Sequence, residues 1–217
     1  EKLVREAQAE VDKAKETLTV KAQALKKVRV AAAPKLCDAV TKQMSHLQMG
    51  SAQIELNFED LPFEQWNKVG STKIELMYKP SAQMTARPLR KIASGGEVSR
   101  VMLACKVVLG ESDVCDTLVF DEVDAGVGGA TAVALAEVLA QLAKTHQVIV
   151  VTHLPQVAVM ASKQYVVSKT EEHNALPITS LTEVSGTQRE EEIARMLSGS
   201  ITEASLAHAH ELLSEVR

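Results

Sequence analysis

The stretch from residue 117 to residue 153, which begins TLVFDEVDAGVGG and ends VIVVTH, decides the fold of this chain. Residues 117–120 and 148–152 are short, apolar and β-branched, as is typical of strands that are buried on both faces of a parallel sheet. The segment between them, about residues 130–144, is predicted to be a helix, and it supplies the crossover length that a parallel connection needs. The sequence therefore predicts an α/β fold with a mainly parallel sheet.

Two carboxylates follow the first of these strands directly, at the edge where open α/β sheets bind ligands. Asp121 is a candidate ligand of Mg²⁺, directly or through water, and Glu122 is a candidate base that orients and deprotonates an attacking water. This is a Walker B arrangement. The alternative is a strand that ends in a solvated acidic turn, and this motif alone does not separate the two.

A glycine pair precedes the acidic strand end. Residues 92–97 read IASGGE and are followed by a predicted helix over residues 98–109. Glycines let the backbone approach a ligand, and a helix start offers free N–H groups and a positive dipole end to an anion. We expect Ser94, Gly95, Gly96 and Glu97 to bind nucleotide, because their order and spacing relative to Asp121 match the signature and Walker B motifs of ABC ATPases. A simple N-cap and turn is the alternative.

The second strand ends in His153. A neutral imidazole at that position is a candidate hydrogen-bond donor to a γ-phosphate, and we expect it to be catalytic. Elsewhere, a single histidine at a strand end more often makes only local hydrogen bonds.

Taken together, these elements resemble the C-terminal lobe of an ABC-type ATPase head. Four segments narrow the resemblance to the RecN family of SMC-like proteins: KIASGGEVSR at 91–100, FDEVDAGVGG at 120–129, THLPQVA at 152–158 and EIARML at 192–197. The resemblance implies that Asp124 begins the D-loop, which touches the opposing head in this superfamily.

The resemblance also implies a mechanism. ATP and Mg²⁺ would be held between two heads of a homodimer, with Ser94, Gly95 and Gly96 covering the nucleotide of the partner. Asp121, Glu122 and His153 would serve the nucleotide on their own head. The implied function is ATP hydrolysis that drives DNA double-strand break repair and recombination, in the bacterial cytoplasm at the nucleoid.

The phosphate-binding loop is absent from this sequence, which contains no G-x-x-x-x-G-K-[ST] string. In the family that the chain resembles, this loop lies in the N-terminal half of the head. We therefore expect that half as a partner, and we expect this chain alone to be inactive. Because the chain starts at Glu1 rather than at a methionine, a segment of a longer protein is also expected.

The first thirty residues show a heptad pattern, in which Val4, Val11, Leu18 and Leu25 recur every seven positions. We interpret residues 1–33 as the end of a coiled-coil arm whose antiparallel partner strand is missing, and residues 34–217 as the lobe. An amphipathic helix on the surface of its own domain is the alternative. Pro34 is predicted to end this helix, with a second helix over residues 35–48.

Further elements follow from the same patterns: strands over 53–58, 73–79, 165–169 and 178–184, and helices over 189–197 and 202–216. A net charge of −4 excludes a globally basic surface, so DNA would have to meet a local patch. The candidates for such a patch, which are more simply a solvated helix face, are Lys21, Lys26, Lys27, Arg29 and Lys35. Three scattered cysteines and no long apolar stretch argue against a disulfide framework and a membrane span.

Two alternatives remain open. One is the head of another SMC, Rad50-like or RecF-like ATPase. The other is a non-catalytic structural module that uses the lobe and the coiled coil for assembly; the intact pair of Asp121 and Glu122 argues against it.

Overall fold

The computed structural model of the chain describes residues 1–110, 115–170 and 178–216. They form two compact units. The first unit contains residues 1–45 and 49–93, and the second contains residues 46–48 and the described residues from 94 onward.

The first unit joins one long helix to an antiparallel sheet. Helix α1 spans Lys2–His46, and the sheet has the strand order β1 (Gln53–Asp60), β2 (Thr72–Lys79) and β3 (Arg87–Pro88). Ile54 of β1 lies opposite Tyr78 of β2, and both are buried. The core also takes Val40 and Met44 from the helix. The predicted pair of strands in this region is confirmed, and each strand is slightly longer than predicted.

Helix α1 continues through Pro34, so the predicted break and separate second helix are wrong. Side-chain contacts on both sides of the proline hold the helix together. Before it, Arg29 donates to the carbonyl of Val69 at 2.7 Å; after it, Val40 is fully buried. These contacts offset the missing N–H of the proline. The domain division at residue 33 stays a prediction about the longer protein.

The apolar heptad residues at the start of α1 have no cover within the described chain. Val4, Val11 and Leu18 are all exposed. The alternative of a helix packed on the surface of its own domain is therefore wrong for this stretch, and the stripe is available to a partner helix.

Two of the basic residues of α1 bind to other parts of the first unit and do not simply extend into solvent. Lys26 donates to both carboxylate oxygens of Asp60 at 2.6 Å, and Arg29 holds the Val69 carbonyl in the connection between β1 and β2. The candidate basic patch is thus reduced to Lys21, Lys27 and Lys35.

The described residues of the second unit form nine elements. In chain order they are α2 (Gly95–Leu109), β4 (Thr117–Phe120), α3 (Ala130–Leu142), β5 (Gln147–Val150), α4 (Pro155–Val159), β6 (Gln164–Thr170), β7 (Ile178–Val184), α5 (Thr187–Ser198) and α6 (Glu203–Glu215). Strands β4 and β5 are parallel, whereas β6 and β7 form an antiparallel hairpin. The α/β class and the parallel crossover are confirmed, and the other pairs of strands in the described residues are antiparallel.

The last helices of the second unit enclose a small apolar core. Ile193, Ala194 and Ala209 are fully buried and pack with Ala158 and Val159 of α4. Thr202 caps α6 as predicted, since its hydroxyl accepts from the N–H of Ser205 at 3.2 Å. Among the helices in the described ranges, none is long and apolar enough to span a membrane.

Replacing Pro34 with alanine is expected to raise the free energy of unfolding by about 1–3 kcal/mol, because alanine restores the N–H that can bond to the Val30 carbonyl and removes the ring that crowds it. Pro34 is exposed, so no packing is lost. Denaturant titration followed by circular dichroism measures the change.

Pro62 is the matched control, because it lies outside the α-helices at a φ of −59°. There the proline ring mainly restricts the unfolded chain, and Pro62→Ala should lower stability by about 0.4–1 kcal/mol. Changes of the same sign and size in both variants would contradict this account of Pro34.

Candidate functional site

The parallel pairing of β4 and β5 brings two strand ends with predicted site residues to one edge of the second unit. Phe120 lies opposite Val150, and the Val151 N–H donates to the Phe120 carbonyl at 2.9 Å. Asp121 and Glu122 therefore leave the sheet beside Thr152 and His153. This is the arrangement predicted from the two apolar strands.

The signature segment forms a capped helix start. Ser94 is the N-cap of α2, and its hydroxyl oxygen accepts from the N–H of Glu97 at 3.3 Å. Glu97 lies in the first turn, where its negative charge interacts favourably with the positive end of the helix dipole. The simple N-cap interpretation is therefore correct for the local geometry, and a capped helix start can also bind an anion through its free N–H groups.

The two glycines of the signature differ in their surroundings. Gly95 is exposed and Gly96 is buried. A Cβ on Gly96 would lie 2.9 Å from the Ala125 carbonyl oxygen, so this glycine permits close packing between α2 and the loop after β4. We predicted that both glycines let a ligand approach the backbone. In this structure, Gly96 instead lets the backbone of Ala125 approach.

Side chains of α2 hold the loop that follows the acidic pair. Ser99 Oγ donates to the Asp121 carbonyl at 3.0 Å, and the Arg100 guanidinium donates to the carbonyls of Val123 and Ala125 at 3.2 and 2.9 Å. The helix that starts with the signature and the loop that carries the carboxylates therefore form one connected piece. Sequence reasoning assigned no role to Ser99 or Arg100, because no local pattern shows which backbone they reach.

Glu122 has an unusual backbone conformation, with φ at +57°. Its carboxylate lies against Gly95, at the place that a Cβ on that residue would occupy. For a residue other than glycine, the left-handed region costs about 1–2 kcal/mol. The structure thus brings together two residues, Glu122 and Gly95, that were predicted to serve two different nucleotides.

Asp124 lies inside the second unit and is only 3% exposed. Its Oδ2 accepts from the Thr152 hydroxyl at 2.5 Å and from the His153 N–H at 3.1 Å. The Thr152 hydroxyl oxygen in turn accepts from the Leu154 N–H at 3.0 Å. Contact between the Asp124 side chain and an opposing head stays a prediction; here the carboxylate joins the β4 loop to the end of β5.

The imidazole of His153 is 71% exposed, and its Nδ1 lies 3.3 Å from Asp124 Oδ2. Asp121 and Glu122 are exposed as well. All eight predicted site residues lie in the second unit. Sequence reasoning missed Thr152 as a hydrogen-bonding partner, although its position directly before His153 was part of the quoted motif.

The sequence of the chain is similar to RecN proteins over nearly its whole length. The DNA repair protein RecN of Streptomyces coelicolor is 40% identical over 220 residues, which cover 96% of this chain and 38% of that protein. RecN of Deinococcus radiodurans is 42% identical over 207 residues, which cover 95% of this chain and 36% of that protein. The chain therefore spans less than two fifths of the length of these curated relatives. No family model matches it.

Solved structures of Smc heads share the fold. The Smc head domain with a coiled coil and joint from Pyrococcus yayanosii aligns with a TM-score of 0.56 and 17% identity, covering 97% of this chain and 34% of that one. A Pyrococcus furiosus Smc head domain with an extended coiled coil gives a TM-score of 0.53 at 19% identity, covering 100% and 45%. These likenesses confirm the predicted SMC-like head fold. The predicted resemblance to the RecN DNA-repair proteins is confirmed over the segment that this chain spans.

Proposed function

We propose that this chain is half of an ABC-type ATPase head, in a protein that hydrolyses ATP between two heads to drive repair and recombination of DNA double-strand breaks. The observation that carries the proposal is the convergence, within one unit, of a capped Ser-Gly-Gly-Glu helix start, an acidic strand end and a histidine on the neighbouring strand. The name of the RecN relatives supports the role in DNA repair. The proposed location is the bacterial cytoplasm, at the nucleoid.

In this proposal the exposed carboxylate of Asp121 would hold Mg²⁺. The residue fits, because Mg²⁺ prefers oxygen ligands and commonly binds through one or two carboxylates together with phosphates and waters. The bound ion would neutralise charge on the phosphates. Glu122, the adjacent carboxylate, orients the attacking water and accepts its proton.

The contact between Glu122 and Gly95 supports a coupling between the two nucleotide sites. The Glu122 carboxylate lies against Gly95 in this structure. A nucleotide that a second head presented to Ser94 and Gly95 would compete for that space. Glu122 then leaves its left-handed conformation and turns to the nucleotide on its own head. Closure of the two heads would thereby set the base in place for hydrolysis.

An uncovered apolar surface supports the N-terminal half of the head as a partner. Leu118 and Phe120 are buried, whereas Val119 is exposed on the other face of β4, together with Ile149 of β5 and Val151, the residue directly after β5. Parallel strands are normally covered on both faces. We propose that the N-terminal half, with its phosphate-binding loop, covers this face, and that an antiparallel strand covers the apolar stripe of α1.

A non-catalytic assembly module would need the same two apolar surfaces, so they do not separate it from an ATPase. The chemistry of the carboxylates does, because a module without catalysis has no use for Glu122.

The chain by itself is expected to show no appreciable ATPase activity, because it has no loop to cradle the phosphates. Steady-state phosphate release from the purified chain measures this, with the Glu122→Gln chain as the control for contaminating enzymes. Turnover that the substitution abolishes would contradict the split-head proposal.

In the full-length protein, Glu122→Gln is expected to slow hydrolysis by roughly 10²–10⁴-fold, because the amide cannot accept the proton of the attacking water. ATP binding should persist, since Asp121 and the phosphate-binding loop are unchanged. Dimers clamped by nucleotide should accumulate and can be measured by light scattering. A variant that hydrolyses ATP at the normal rate favours the non-catalytic module, or a different base.

Ser94→Arg in the full-length protein tests whether the signature acts on the nucleotide of the partner. Nucleotide binding to the monomer should be nearly unchanged, whereas ATP-dependent dimerisation and hydrolysis should both fail, because a bulky side chain occupies the contact surface. Mixing this variant with a phosphate-binding-loop variant should restore part of the activity, since one composite site of each mixed dimer is intact. Loss of nucleotide affinity in the monomer, with no rescue on mixing, shows that the loop acts within its own head.

A further inference from the structure

The strand-end histidine has a fixed neighbour on one side of its ring. His153 Nδ1 lies 3.3 Å from Oδ2 of Asp124, the buried residue three positions beyond the first carboxylate of the acidic pair. The rest of the imidazole is open, because the side chain is 71% exposed. The two ring nitrogens are therefore not equivalent.

The hydrogen bonds at Asp124 Oδ2 determine what this atom can offer to the ring. Oδ2 already accepts from the Thr152 hydroxyl at 2.5 Å and from the His153 N–H at 3.1 Å. An oxygen that accepts two hydrogen bonds carries no proton, so it presents negative charge, and not an O–H donor, to Nδ1 at 3.3 Å. A lone pair on Nδ1 would be repelled there, whereas an N–H would be attracted.

We infer that Asp124 is a positioning residue for His153, which keeps the ring proton on Nδ1 and leaves Nε2 as the exposed functional nitrogen. The neutral ring then offers a lone pair at Nε2, so it can accept a hydrogen bond or a proton but cannot donate. His153 donates to a phosphate oxygen from Nε2 only as the imidazolium. This differs from the role that the sequence suggested, in which the neutral ring is the donor.

The loop that follows the acidic pair then has a second task. Ser99 and Arg100 hold the backbone of this loop on α2, while Asp124 holds the end of β5 through Thr152 and His153. The ring of the histidine is thus oriented from the same loop that carries Glu122. Its effect on hydrolysis rests on the proposed function, but the state of the ring does not.

The direct test is the tautomer of the neutral His153 ring in ¹⁵N-histidine-labelled protein, read from the ring nitrogen shifts and ring proton couplings. The His153→Gln variant assigns the signals. We expect the Nδ1–H form, whereas histidine free in water prefers Nε2–H. A wild-type His153 in the Nε2–H form overturns the inference, and this measurement needs neither ATP nor a variant of Asp124.

Two substitutions of Asp124 separate positioning from general stability. Asp124→Ala removes the negative charge beside Nδ1 and should release the ring to the Nε2–H form. Asp124→Asn should keep the Nδ1–H form, because the Thr152 hydroxyl and the His153 N–H both require the amide oxygen at the Oδ2 position. Retention of the Nδ1–H form in Asp124→Ala also overturns the inference.

His210 supplies the matched control, since its Nδ1 lies 3.3 Å from Glu190 Oε1 in an exposed pair. Glu190→Gln should leave the His153 signals unchanged. In the full-length protein, Asp124→Ala should lower kcat by roughly 10–100-fold with little change in the KM for ATP, the size of loss seen for partners that orient metal-binding histidines. Asp124→Asn should lower it less. The proposed ATPase can fail in this assay while the tautomer result stands.

Discussion

The backbone hydrogen bonds between the parallel strands β4 and β5 are the constraint on which the rest of the second unit depends. They align Phe120 with Val150, so the chain leaves both strands at one edge. Each strand is only four residues long. So short a pair depends on further contacts at the ends of its strands. Asp124 in the loop after β4 supplies such contacts, because it accepts hydrogen bonds from Thr152 and His153, which follow β5.

The same loop is tied on its other side to the helix that begins with the signature. Arg100 donates to two carbonyls of the loop, those of Val123 and Ala125. The loop backbone also approaches Gly96 so closely that a side chain at that position would collide with it. A displacement of the signature helix must therefore move the loop with Glu122 and Asp124. This mechanical connection couples the position of the helix start at Ser94 to the position of the carboxylates.

The first unit follows a different principle, in which long-range contacts override a local rule. Proline inside a helix normally ends it, because the residue lacks an N–H and its ring crowds the preceding turn. In α1 the turns on either side of Pro34 are secured by Arg29 on the connection between β1 and β2 and by the burial of Val40. The helix is continuous because those contacts stabilise it more than the proline destabilises it.

The sequence alone determined the features that depend on residues close together along the chain. The parallel pair of strands, the crossover helix, the N-caps at Ser94 and Thr202 and the order of the site residues all follow from local periodicity and chemistry. Only the tertiary structure decided the rest: the continuity of α1 through Pro34, the different roles of Gly95 and Gly96, the inward orientation of Asp124 and the contact between Glu122 and Gly95. Each of these depends on contacts between atoms that are distant along the chain. Such hydrogen bonds and van der Waals contacts produce no periodic pattern of residues in the sequence.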